Sequence, residues 1–82
     1  MIRFGVYRKK DTITSTRPQG FLYQFLGMAR NHYTDEQVVI YIPLRIEPEW
    51  AGTIRECWIP RGDWDSKFEY IGEGLPTPVN RQ

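Results

Sequence analysis

The sequence predicts a mainly β domain, a compact antiparallel barrel or roll of about five short strands. Three observations carry that expectation. Runs of β-branched and aromatic residues recur along the chain, among them "VVIYI" at 38–42, a composition that fits a pleated, half-buried surface. Polar stretches bearing Gly and Pro separate the runs,. No stretch between two runs reads as a crossover helix, so neighbouring strands are expected to pair antiparallel. Closure into a barrel would also hide the strand edges that otherwise invite aggregation. The 82 residues leave room for one domain, expected over 1–72, with a loose Gly- and Pro-bearing tail over 73–82,. A chain this short needs a dense core, and three Trp, five Tyr and four Phe can supply it,.

Each element has its own warrant. "MIRFGVYR" alternates Ile2, Phe4 and Val6 against Arg3, Gly5 and Tyr7, the pattern of a half-buried strand,. "KKDTITSTRPQ", residues 9–19, reads as a long polar loop in which Thr12-Ile13-Thr14 could pair briefly,. A loop of that length is uncommon in a compact domain, so it is expected to be mobile or functional. Residues 20–44, "GFLYQFLGMARNHYTDEQVVIYIPL", fit a helical face as well as a pair of strands by periodicity alone,. Gly27 would cost a helix interior roughly 1 kcal/mol. Thr34 and Gln37 match a helix-capping box,, but the Val38-Val39-Ile40 run disfavours the helix that would follow. The reading is therefore a hairpin turning through "RNHYTDE", whose Asn, Thr and Asp suit a turn. "RIEPEWAGT" is a second connection, and "TIRECWIP" alternates as a further strand stopped by Pro60. "RGDWDSK" reads as a turn or one short helical turn, and "FEYI" as the last strand.

The order of residues from Gly20 to Phe68 resembles the domain of unknown function 1653 family. Tyr23, Leu26, Gly27, Ala29, Thr34, Glu36, Val38, Val39, Tyr41, Leu44, Trp58 and Phe68 fill the places of that family's pattern. The family's Arg-Pro stands here as Pro60-Arg61, the loop between Tyr7 and Gly20 is longer, and Thr16-Arg17-Pro18-Gln19 replaces a basic-aromatic element. The resemblance implies a small SH3-like barrel of bacterial or phage origin. It implies no activity, because one fold hosts many functions.

Composition narrows the chemistry. The lone Cys57 excludes an intrachain disulfide and suits a reducing compartment,. No long apolar run or signal-peptide core is present, so a cytoplasmic protein is expected,. A net charge of +1 gives no global field for nucleic acid or anionic membrane,. A metal site needs three or four ligands, and His32 and Cys57 fall in different predicted elements,. The same separation argues against Cys–His nucleophilic catalysis. The carboxylates show no acid/base pairing, and "GEG" at 72–74 lacks the strand-to-helix setting of a phosphate loop,. Neither catalytic residues, a cofactor nor a metal is expected.

A binding surface has more support. Eight of the eleven basic residues are Arg, whose planar fork suits carboxylate or phosphate and stacks on aromatic rings. Arg, Trp and Tyr are also the residues that interface hot spots favour. The expected contributors are Tyr23 and Tyr41 on the paired strands, Arg30 and His32 at their turn, and Trp58 with Arg61. With both tyrosines outward and Arg30 over them, a flat anion such as a nucleotide could stack there. The expectation is a non-catalytic module that engages a partner protein or a small anionic ligand. Nucleotide sequestration in a phage setting is one version of it, and homo-oligomerisation is compatible with it. The alternative is a barrel that binds single-stranded nucleic acid, for which only "RKK" at 8–10 speaks,.

Overall fold

The hairpin expected over residues 20–44 is the centre of the molecule in the computed structural model, which describes residues 2–73. Apart from Glu73, the tail expected over 73–82 lies outside the described residues. In chain order the elements are β1 (Val6–Lys9), β2 (Phe21–Arg30), β3 (Gln37–Pro43), β4 (Cys57–Pro60), α1 (Arg61–Lys67) and β5 (Phe68–Gly72). All neighbours pair antiparallel in one sheet of order β4-β3-β2-β1-β5. The fold is mainly β, as expected, but the sheet is open and the barrel is not closed. The reason is α1. "RGDWDSK" forms two turns of helix between the two end strands and covers one sheet face with Trp64, so a helix rather than strand closure completes the core.

The covered face is aromatic. Partners in the ladders share a face, which puts Tyr7, Tyr23 and Tyr70 in one row and Phe25, Tyr41 and Cys57 in another. Trp64, only 2 % exposed, stacks on Phe68 at 4.2 Å and tilts against Tyr7 at 4.8 Å and Tyr41 at 5.4 Å. Stacked and tilted aromatic contacts of this kind add about 0.5–1.5 kcal/mol each beyond their buried area.

The amino-terminal strand is shorter than its alternation suggests. Val6 and Tyr7 are both buried while Phe4 is 66 % exposed. Gly5, at φ +145°, reverses the phase, and the β1–β5 register shifts between Val6 and Tyr7. "TIRECWIP" likewise pairs only from Cys57 onward.

The long loop is built rather than loose. Residues 10–12 form a 3₁₀ turn, and the Thr12 hydroxyl donates to the Lys9 carbonyl at 2.6 Å while accepting the Phe21 N–H at 2.7 Å. Thr14 and Arg17 exchange backbone hydrogen bonds at 3.0 and 3.1 Å. Arg17 also lays its guanidinium over the Phe21 ring at 4.0 Å. Replacing Thr12 by Val keeps the shape but strands the Phe21 donor, so we expect a loss of about 1–3 kcal/mol in urea unfolding. An unchanged midpoint would mean the loop contributes nothing to holding the start of β2.

Candidate functional site

The sheet face opposite α1 carries Ala29, Val38, Ile40, Trp58 and Pro60, a set fixed by the pairings Ala29↔Val38↔Pro60 and Ile40↔Trp58. α1 packs on the other face, through Trp64. A groove of about 370 Å³ opens on it, floored by Ala29, Val38 and Ile40, with Trp58 as one wall. Arg30, Asn31, His32 and Tyr33 form the rim at the hairpin turn. Trp58 is 59 % exposed and Tyr33 is 92 % exposed, so two large rings border an apolar floor while remaining open to solvent.

The turn that positions the rim is held by its own hydrogen bonds. The Asn31 side-chain oxygen accepts the Tyr33 N–H at 2.9 Å and the Thr34 N–H at 3.3 Å, an arrangement in which Asn mimics a backbone turn. The Asn31 N–H donates to the Glu36 carbonyl at 2.8 Å, and the Asp35 N–H returns to the Asn31 carbonyl at 2.8 Å. His32 and Tyr33 meet edge to face with ring centres 5.2 Å apart. Arg30 pairs with Asp35 through Nε at 3.1 Å, both side chains being largely exposed. An exposed pair of this kind holds with about 0–1 kcal/mol, so it fixes the guanidinium only weakly.

Of the six predicted site residues, the structure brings together three: Arg30, His32 and Trp58. The tyrosines point the other way. Tyr23 is a buried core residue against Phe68, and Tyr41 packs edge-on to Tyr23 and against Trp64. Their phase along β2 and β3 turns them toward α1, and no outward tyrosine platform exists at these positions. Burial, with smaller contributions from Cys57 and Tyr23, pushes the Tyr41 phenol above its ordinary range, so it stays neutral at physiological pH. Arg61 is also separate. It opens α1, pairs with Asp65 at 3.5 Å and lines a cleft with Arg3, Tyr7 and Trp64 at the covered face.

Tyr33, Asn31, Ala29, Val38 and Ile40 belong to the groove but were not among the predicted site residues. The signal was present in part: Val38 and Ile40 alternate with Val39 and Tyr41, so one pair must face away from the core. The remaining chemistry is unconcentrated. Cys57 donates its thiol to the Arg55 carbonyl at 3.4 Å, and among the described residues no three His, Cys, Asp or Glu side chains converge as a metal would require. No helix among them is long and apolar enough to cross a membrane. Neither a protein-family model, nor a curated protein, nor a solved structure matches the chain.

Proposed function

We propose that the protein is a non-catalytic binding module. Its site is the groove between the hairpin turn and Trp58, and its ligand is a small molecule with a flat ring and an anionic group, a nucleotide being the simplest example. One observation carries the reading. A solvent-exposed Trp and Tyr flank an apolar groove whose rim also holds Arg30 and His32. A ring stacked on an aromatic side chain contributes about 1–3 kcal/mol, and a guanidinium adds a charge-assisted hydrogen bond to the anion. The residue order resembles that of the domain of unknown function 1653 family, which would suit a module without its own chemistry, and our reading is that the chain is an open variant of that SH3-like class from a bacterial or phage cytoplasm.

The charges do not favour a nucleic-acid track. Arg8 is met by Glu69 at 3.7 Å and Lys9 by Asp11 at 3.8 Å, so much of the "RKK" charge is locally offset. If the groove nonetheless serves single strands, oligonucleotide affinity will fall steeply with salt.

Thermal shift against a panel of nucleotides and anionic metabolites is the test. A ligand present at about a hundred times its Kd adds about 2.7 kcal/mol, which raises Tm by roughly 10–20 °C in a domain of this size. Trp58→Ala should remove that shift while leaving the melting of the free protein within a few degrees. No shift with any compound at millimolar concentration, or a shift that survives Trp58→Ala, would remove the reading.

A further inference from the structure

Among the described residues, one backbone edge lies open in the middle of the sheet. β1 pairs with β2 only from Phe21 to Gln24, with a last bond from the Phe25 N–H to the Gly5 carbonyl at 3.0 Å. β2 runs on to Arg30, and there it pairs with β3 on one side and with nothing described on the other. Alternation tells which groups face the free side. The Asn31 N–H donates to Glu36 on the β3 side, so Ala29 and Gly27 also direct their N–H and C=O groups to β3, and Met28 and Arg30 direct theirs outward. Counting from the other end agrees. The Leu22 carbonyl accepts the Leu44 N–H, and the register shift between Phe25 and Gly27 supplies the one extra residue needed,.

The two open edges differ in their protection. On β4 the same alternation leaves Trp58 and Pro60 facing outward, and Pro60 has no N–H to offer an added strand. The free stretch of β2 has no Pro; its protection is limited to the bulge between Phe25 and Gly27 and the charge of Arg30,. It is bordered by the exposed side chains of Phe4, Leu26 and Met28.

We propose that this edge pairs with the same edge of a second copy of the chain, antiparallel about a two-fold axis at Ala29. In that register Ala29 meets its own copy at a non-hydrogen-bonded position, where strands approach most closely and a small side chain fits. Met28 of each copy faces Arg30 of the other, and the two exchange N–H and C=O bonds in both directions. No like charges stand directly opposite one another, and each copy supplies both donors and acceptors across the axis, so the edge is complementary to itself. Ala29 also floors the groove, so the two grooves join across the axis. The pairing rests on the backbone alone and not on the groove's having a ligand. With so few paired residues, the dimer is weak and concentration-dependent.

Sedimentation across the micromolar to millimolar range, together with amide exchange, tests it. The mass should rise toward two chains, and the Met28 and Arg30 amides should slow as concentration rises. The Gly27 and Ala29 amides, already bonded to β3, should not change. Met28→Pro removes only the outward N–H and should stay a single chain at every concentration; if it does not fold, Met28→Lys is read in its place. Trp58→Ala should lose the ligand shift yet still self-associate, which separates this proposal from the groove's. A single-chain mass throughout, or association that leaves the Met28 and Arg30 amides fast, would overturn it.

Discussion

Trp64→Ala is expected to leave the protein largely unfolded at room temperature. Its indole is the one large side chain that α1 delivers to the sheet, and it touches Tyr7, Phe25, Tyr41 and Phe68. Removing a buried Trp costs about 3–5 kcal/mol, through lost transfer energy and the cavity left behind. A domain has only about 5–15 kcal/mol in total, and one of this length sits toward the low end. Here the helix also stands in for barrel closure, so its loss uncovers the whole aromatic face. Urea unfolding followed by near-ultraviolet circular dichroism should show the midpoint collapsing toward zero. A variant retaining most of its stability would mean that the sheet holds together without its helix.

Gly5→Ala should be nearly as damaging, for a different reason. A Cβ at this position would collide with the Gly72 carbonyl oxygen and lie 2.8 Å from the Tyr70 ring. The backbone cannot easily move aside. The Gly5 carbonyl accepts both the Phe25 N–H and the Gln24 side-chain amide at 3.0 Å, tying it to β2. An unfavourable φ costs about 1–3 kcal/mol and overpacking a further 1–3 kcal/mol, so a loss of roughly 3 kcal/mol or more is expected. The same urea titration measures it. A loss below about 1 kcal/mol, the scale of an ordinary surface change, would show that β1 and β5 can part without consequence.

Legibility of the fold followed the strength of local signals. The hairpin could be read because "QVVIYIP" is rich in β-branched residues and "RNHYTDE" carries the side chains that build its turn. α1 was hard to read because seven residues hold a single apolar side chain, Trp64, and show no period. Without that helix the sequence could not say which sheet face was covered, so the phase of Tyr23 and Tyr41 was left free and was assigned to the wrong side. Arg30 and His32 were legible as turn residues, and Trp58 as an alternating strand residue. That they meet over Val38 and Ile40 depends on register across three strands, which no local pattern encodes. The irregular start of β1 has the same origin: Gly5 shifts the phase through a tertiary contact with Gly72.

The groove's role is tested most directly by following backbone amide resonances while a nucleotide is titrated into the protein. The account predicts that shifts concentrate on Ala29, Arg30, His32, Tyr33, Val38, Ile40 and Trp58, with the Trp58 indole N–H moving most. Shifts gathered instead around Arg3, Arg61 and Asp65 at the covered face would contradict it.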